Sequence, residues 1–290
     1  MLVTSALISG LALGSMYGLL ALGFHVTYAV SRTVNFAQGS AMMVGAVLAY
    51  TFAVTLGWPF VPAALVALAL CAAYGVLVEL VAVRPFARRG SNAWLMATVA
   101  LGIVADNTVL FTFGKEPRGF SLSWAQGSIH IGGLNVSVLQ LVIPAVGLAL
   151  ALALSLFSRR TRTGKAMLAV VQNPDAARLM GINVPLTISL AYAASAAFAG
   201  AAGMMIAPLF NVHSDMGTLF GLKAFAVAIL GGLGSAWGVM LAGLIFGATE
   251  SLITALLGSA YTQILSFALV IAALAFMPNG LFGRAEAKKV

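Results

Sequence analysis

A short polar stretch offers the clearest chemistry in this sequence. Residues 159–165 carry four basic side chains, and residues 173–181 begin with Asn-Pro-Asp and end with glycine. Asn173 can accept hydrogen bonds from the first turn of a helix, Pro174 suits the first helical position, and Gly181 suits the position after the last turn. A helix this short is not stable alone in water. It must therefore dock on this chain or on a partner.

The same rules predict two short helices in this stretch. Thr163 is the predicted cap of a first helix over residues 164–172. The second helix covers residues 174–180, and Asp175 in its first turn complements the helix dipole. Since the rest of the sequence is strongly apolar, this stretch must be held outside a membrane.

Catalytic and nucleotide-binding motifs are missing from the sequence. A P-loop requires G-x-x-x-x-G-K-[ST], and the pair Gly164-Lys165 lacks both the preceding glycine and the following hydroxyl. The three histidines are scattered, and no zinc spacing occurs. The single cysteine, Cys71, lies in an apolar run and is interpreted as a small buried hydrophobe. We expect no catalytic residue, no metal and no cofactor.

Composition predicts a membrane protein. Hydrophobic residues make up 61% of the chain and charged residues 8%, whereas a soluble domain has about 25% charged residues. Apolar runs of about 20 residues recur, which is the length of a transmembrane helix. The predicted fold is all-α: a polytopic transmembrane bundle of about eight spans with one or two broken or re-entrant helices. We expect a single domain over residues 1–290 with a cytoplasmic loop at 159–185.

Charge predicts the orientation of the chain. The net charge is +8, but the basic residues lie in short loops at 84–89 and 159–165 and in the tail from Arg284. The positive-inside rule places these segments in the cytoplasm, and nucleic-acid binding is not expected. Three apolar runs precede the basic loop at 84–89. The N-terminus lies outside if all three cross the membrane, and inside if the polar run around Asn35 is re-entrant.

Two glycine-bearing breaks in the apolar runs, at residues 35–39 and 231–235, predict a translocation path. Short apolar segments interrupted by glycines are typical of discontinuous helices beside a transport site. An ordinary loop is the alternative for the first break. The predicted path residues are Asn35, Gln38, Gly39, Gly231, Gly232, Gly234 and Ser235.

Acidic residues inside apolar runs are functional candidates, because a charge within a span is costly. Asp106 and Glu250 are the clearest cases. For Asp106 a structural, hydrogen-bonded role remains equally open. The segment 211–223, with His213, Asp215 and Lys223, is expected to be an external loop.

The order Asp175-Ala176-Ala177-x-x-x-Gly181 resembles the EAA–G signature of ABC importer permeases, with Asp in place of Glu. Three longer segments, at 11–46, 162–184 and 230–252, resemble the LivH-type members of the branched-chain amino acid permease family. These segments are distributed over nearly the whole chain, and their combination is specific.

The resemblance implies an inner-membrane subunit of a bacterial importer that moves branched-chain or other small amino acids by alternating access. Its implied partners are a second homologous permease, two cytoplasmic ATP-binding subunits, a periplasmic substrate-binding protein and the lipid bilayer. Gly10, Gly14 and Gly18, which share one helix face, are assigned to the contact with the second permease. The implied ATPase-coupling residues are Pro174, Asp175, Ala176, Ala177, Arg178, Leu179, Met180 and Gly181.

Other functions stay open. Relatives within the same family transport urea, amides or small organic acids, so the resemblance does not identify the solute. A secondary transporter without ATPases is less favoured, because ion coupling usually needs more ionisable groups within the spans. A membrane enzyme would need clustered histidines or acids.

Overall fold

The computed structural model describes residues 2–121, 127–131, 134–277 and 280–282, so the predicted basic tail from Arg284 lies outside the described residues. The described part is almost entirely helical and contains one small hairpin. The elements in chain order are α1 (Leu2–Ser31), α2 (Gln38–Tyr50), α3 (Phe60–Val78), α4 (Arg84–Ala87), α5 (Trp94–Phe113), β1 (Ser128–Ile131), β2 (Leu134–Ser137), α6 (Val138–Arg160), α7 (Arg162–Gln172), α8 (Pro174–Leu179), α9 (Val184–Ile206), α10 (Met216–Gly231), α11 (Ala236–Leu257) and α12 (Ser259–Phe276).

Eight helices of the described part are long and apolar enough to cross a bilayer, which confirms the predicted polytopic helical bundle. Two of them are extended by π-helical turns: Thr51–Thr55 continues α2, and Glu79–Val83 joins α3 to α4. The apolar helix α10 is shorter than the others. The candidate spans are Leu2–Ser31, Gln38–Thr55, Phe60–Ala87, Trp94–Phe113, Val138–Arg160, Val184–Ile206, Ala236–Leu257 and Ser259–Phe276.

Helix α1 lies at the centre of the bundle and packs against α11 through glycines. A Cβ atom added at Gly14 would lie 2.6 Å from the carbonyl oxygen of Gly243, and one added at Gly247 would lie 2.3 Å from the Cα atom of Gly14. Gly10 and Gly18 meet the same helix, at Ala248 and Met240 respectively. Small residues let membrane helices approach at this distance.

This contact corrects the role predicted for the three glycines of α1. Gly10, Gly14 and Gly18 are buried, and the face that we assigned to a second permease is occupied by a helix of the same chain. The sequence pattern correctly indicated a close helix contact, but the spacing of glycines does not distinguish a contact within a subunit from one between subunits.

A second close-packed group joins α2, α3 and α9. A Cβ atom at Gly45 would lie 2.3 Å from the Cα atom of Gly200, and one at Gly75 would lie 2.3 Å from the carbonyl oxygen of Tyr192. The side chain of Cys71 packs on Gly200 and is fully buried, in agreement with its interpretation as a small hydrophobe.

The C-terminal end of α1 is fixed by its contact with the polar stretch. Val30, near the end of α1, packs on a buried cluster of Val170, Ala177 and Val184, which follows the basic residues at 159–165. Because α1 has 30 residues, enough to cross the bilayer completely, Leu2 lies at the opposite end of the span from this contact. With the polar stretch in the cytoplasm, as its charge predicts, the N-terminus would lie outside, and this orientation stays a prediction.

Replacing Gly247 by alanine is expected to separate α1 from α11, since the added methyl group would overlap the backbone of Gly14. Overpacking of this kind costs about 1–3 kcal/mol, so thermal unfolding of the purified chain in detergent should occur at a lower temperature. Gly234→Ala is the matched control, because a Cβ atom there meets nothing within 4 Å. Equal unfolding temperatures for the two variants would contradict this account of the contact.

Candidate functional site

The polar stretch folds as two short helices. Asn173 caps α8 as predicted: its Oδ1 accepts hydrogen bonds from the backbone N–H groups of Asp175 at 3.1 Å and Ala176 at 3.0 Å. Gly181 has a φ of +83°, the left-handed conformation that favours glycine after a helix. The second predicted helix is therefore present, and its regular part ends at Leu179.

The predicted start of the first short helix is wrong by two residues. Helix α7 begins at Arg162, and its cap is Thr161, whose Oγ1 accepts a hydrogen bond from the N–H of Gly164 at 3.0 Å. Thr161 has the extended backbone that a cap requires, whereas Thr163 already lies within the first turn. Two threonines separated by one residue gave the sequence two equally suitable caps.

Helix α8 turns one residue inward and an apolar pair outward. Ala177 is 4% exposed and packs on Val170 and Val184. Leu179 and Met180 are 89% and 83% exposed. Two large apolar side chains held in water at the tip of a short helix are typical of a surface that another protein covers.

A cavity of about 160 Å³ lies between α2, α5 and α10, and we call it the α5 cavity. Its wall includes the first turns of α2 and α10, which lie against each other: a Cβ atom at Gly39 would be 2.3 Å from the carbonyl oxygen of Gly217. Of the predicted path residues, Gly39 alone is among the residues that line it. The lining residues are Phe24, Phe36, Gly39, Ser40, Val99, Gly102, Ile103, Asp106, Gly217, Thr218, Gly221, Leu222 and Phe225.

The polar residues of the first break hold the backbone in place. Gln38 is fully buried, and its Nε2 donates to the carbonyl oxygen of Ser195 at 3.0 Å. The hydroxyl of Ser195 lies 2.9 Å from both Gln38 Oε1 and the carbonyl oxygen of Gly23. Asn35, also fully buried, accepts a hydrogen bond from the N–H of Ala37 at 3.0 Å. These side chains connect α1, α2 and α9 next to the α5 cavity.

The second break lies elsewhere. Gly232 has a φ of +84° and turns the chain between α10 and α11, while Gly231 packs on the backbone of Val239. Ser235 caps α11 by accepting a hydrogen bond from the N–H of Gly238 at 3.1 Å. Gly234 and Ser235 line a separate cavity with residues of α1, α6 and α7. The structure therefore does not bring the two predicted breaks together at one cavity.

The expected external loop at 211–223 is wrong in its second half. Helix α10 begins at Met216, so Lys223 lies inside a helix. Its Nζ contacts Glu250 Oε1 at 2.5 Å, and the two side chains are only 12% and 9% exposed. Lys223 Nζ also lies 5.9 Å from the centre of the Tyr17 ring.

This ion pair was missed because one lysine interrupts the apolar run in the middle of α10. The turn at residues 231–235 indicates that α10 and α11 are neighbours, but it does not identify the pair. Lys223 lies eight residues before the turn and Glu250 lies fifteen after it, so the two positions are not opposite each other by spacing alone. The structure indicates no metal site among the described residues, because no group of three His, Cys, Asp or Glu side chains there could hold an ion.

The comparisons with known proteins cover nearly the whole chain. A family model described as "Branched-chain amino acid transport system / permease component" matches residues 6–274. The high-affinity branched-chain amino acid transport system permease protein LivH of Escherichia coli K12 is 35% identical over 97% of this chain and 96% of its own length. The high-affinity branched-chain amino acid transport system permease protein BraD of Pseudomonas aeruginosa is 31% identical over 98% of this chain and 97% of its own length. A probable branched-chain amino acid transport permease protein LivH of Methanocaldococcus jannaschii is 31% identical over 91% of this chain and 88% of its own length.

Glu250→Gln should destabilise the folded chain strongly, because it leaves the charge of Lys223 buried without its partner. Removing one member of a buried ion pair costs about 3–5 kcal/mol. Replacing both residues, Lys223→Met with Glu250→Leu, should restore most of the lost stability, since no charge is then left unpaired. Thermal unfolding in detergent measures both effects. A double variant that is no more stable than the single variant would show that the pair is not the relevant interaction.

Proposed function

Because this chain belongs to the family of permease components of branched-chain amino acid transport systems, we propose that it is the membrane subunit of an importer for branched-chain amino acids. Similarity over almost the full length of LivH and BraD supports this most directly. The chain is a transport subunit of the inner membrane. We further propose that residues 1–290 form one permease domain, with 159–185 as its cytoplasmic coupling segment.

In this proposal, ATP is hydrolysed by two separate cytoplasmic subunits, and α8 is the helix to which they bind. The support is physical: α8 is short, exposed and tipped by Leu179 and Met180, while Ala177 anchors it to its own chain. The exposed ion pair between Asp175 and Arg178, at 3.6 Å, lies on the outer surface of the same helix. A surface of this kind suits an apolar groove with a polar rim.

Movement of α8 would be transmitted to the α5 cavity through α9. Val184, at the start of α9, packs on Ala177. One turn later the hydroxyl of Ser189 donates to Glu79 Oε2 at 3.0 Å, and Glu79 is held by Arg84 at 2.7 Å. Further along the helix, Ser195 binds Gln38, which precedes the cavity residue Gly39. One rigid helix thus joins the coupling segment to the first turn of α2.

The α5 cavity is the proposed translocation site, and a second homologous permease would complete it. Val99, Ile103 and Leu222 form part of its wall and are exposed on the surface of the single chain. Asn107, on the same helix as Val99 and Ile103, is also exposed, although polar side chains rarely face lipid. A second permease subunit packed on α5 would close the cavity and cover this residue. A periplasmic binding protein would deliver the solute from the outer side.

Within the family, urea, amides or small organic acids remain alternative solutes, and a secondary transporter remains a less favoured mechanism. Uptake by the reconstituted importer separates these alternatives. Uptake of leucine that needs ATP and the cognate binding protein supports the proposal. Uptake driven by an ion gradient without ATPases would reject it, and thermal stabilisation of the binding protein by a solute panel would identify another solute.

Leu179→Asp together with Met180→Asp should weaken binding of the ATPase subunits by about tenfold or more, as expected for charges placed at an apolar anchor. Both side chains are almost fully exposed, so the chain itself should fold normally. Co-purification with the ATPases and ATP-driven uptake measure the loss. Ile129→Asp on the outer hairpin, where Ile129 is 45% exposed, is the matched control. Full ATPase binding by the double variant would refute the coupling role of α8.

A cysteine placed in the α5 cavity should react with a water-soluble reagent, because a translocation path must admit water. Cys71→Ala removes the chain's single thiol, and Thr218→Cys then places one at the cavity wall. N-ethylmaleimide should label it quickly in the assembled transporter. Leu148→Cys, on the exposed apolar surface of α6, should face lipid and react slowly. Equal rates at both positions would contradict the assignment of the path.

A further inference from the structure

Three acidic side chains lie in the spanning helices, and their environments differ. Glu79 pairs with Arg84, and Glu250 pairs with Lys223. In the part of the chain that the structure describes, no ion pair joins Asp106 to a basic side chain. Since an acid within a membrane requires a compensating group, Asp106 is the acid for which the described residues supply no counter-charge.

The carboxylate of Asp106 also lacks a hydrogen-bond donor at one oxygen. Its Oδ1 atom is buried and, among the described residues, accepts no hydrogen bond. The hydroxyl of Ser40 lines the same cavity and donates its hydrogen to the carbonyl oxygen of Gly102 at 3.2 Å, so the Ser40 oxygen can still accept. An unpaired carboxylate oxygen and a second free acceptor at one cavity wall indicate a missing donor.

The shape of the site indicates what kind of cation would fit. Asp106 lines the α5 cavity, whose volume of about 160 Å³ suits a small organic molecule. The remaining wall is largely aromatic and aliphatic, with Phe24, Phe36 and Phe225 among its residues. A primary ammonium group has three donors and no acceptor, which matches a cluster of oxygen atoms. A branched aliphatic group on the same molecule would lie against the rings.

We propose that Asp106 binds the α-ammonium group of the transported amino acid in the α5 cavity, with the oxygen atom of Ser40 as an additional acceptor. This inference rests on the proposed function, because it takes the solute to be an amino acid. It gives the permease its own selectivity, separate from that of the binding protein. Urea, amides and organic acids lack the ammonium group, so the site disfavours the alternative solutes of the family.

The test uses the assembled transporter in nanodiscs with Cys71→Ala and Thr218→Cys, without the binding protein. Leucine and 3-methylbutylamine, which both carry an ammonium group, should slow the reaction of the cysteine with N-ethylmaleimide. 4-Methylpentanoate, which has the same branched chain and a carboxylate but no ammonium group, should not. Displacement of tritiated leucine by the same compounds, measured without the cysteine substitutions, provides a second readout.

Asp106→Asn should raise the leucine concentration required in both assays by about tenfold or more, the loss expected when a charge-assisted hydrogen bond is removed. Asp106→Glu keeps the charge and should remain closer to wild type. Glu116→Gln, which removes the charge of an exposed acid that does not line the α5 cavity, is the matched control and should have no effect. Association with the ATPase subunits verifies that each variant is folded.

Three results would overturn the proposal: protection by 4-methylpentanoate equal to that by leucine, unchanged leucine binding in Asp106→Asn, or no leucine binding by the wild-type complex. Failure of the proposed function would be seen differently. Wild-type transporter with its binding protein and ATPases would then take up no amino acid. Normal wild-type uptake together with leucine binding that does not depend on Asp106 rejects the ammonium site alone.

Discussion

The bundle depends on the direct backbone contact between α1 and α11. Lipid tails are as apolar as leucine side chains, so burial of apolar surface does not drive helices together in a membrane, and close packing must do so. Gly14, Gly243 and Gly247 permit that packing. Two other helices and the turn after α10 are tied to α1: Ser9 binds Gln140 of α6, the carbonyl oxygen of Gly23 accepts from Ser195 of α9, and His25 contacts the carbonyl oxygen of Leu233 in the turn.

The glycine contacts divide the chain into two close-packed groups. The first contains α1, α10 and α11, where the Lys223–Glu250 ion pair reinforces the packing of α10. The second contains α2, α3 and α9, packed at Gly45, Gly75 and Gly200. The two groups meet at more than one contact: Gly39 packs on Gly217 at the wall of the α5 cavity, and Gly23 of α1 lies against Gln38 and Ser195. Because α8 packs on the start of α9, a force on α8 in the proposed mechanism would act on the second group, and displacement of that group against the first would alter the cavity between them.

Local patterns in the sequence predicted the elements well, and contacts between distant elements poorly. The spans, the cap at Asn173 and the left-handed Gly181 follow from runs of apolar residues and from short-range hydrogen bonding. Both depend only on residues that are neighbours in the sequence. The role of Gly10 was mistaken because its partner is more than 200 residues away. The two breaks were expected to meet, but the tertiary fold pairs Gly39 with α10 instead. Lys223 was placed in a loop because a lysine in a span is costly until its partner, Glu250, is known.

The arrangement of charges explains why a transporter of this kind suits an external energy source. A carrier coupled to an ion gradient needs membrane groups whose charge or ligation changes during each cycle. Here Glu79 is held by both Arg84 and Ser189, and Glu250 is paired with Lys223. These two acids therefore stabilise the fold. Under the proposed function, Asp106 interacts with the solute, and the work of transport enters the membrane mechanically, from α8 through α9.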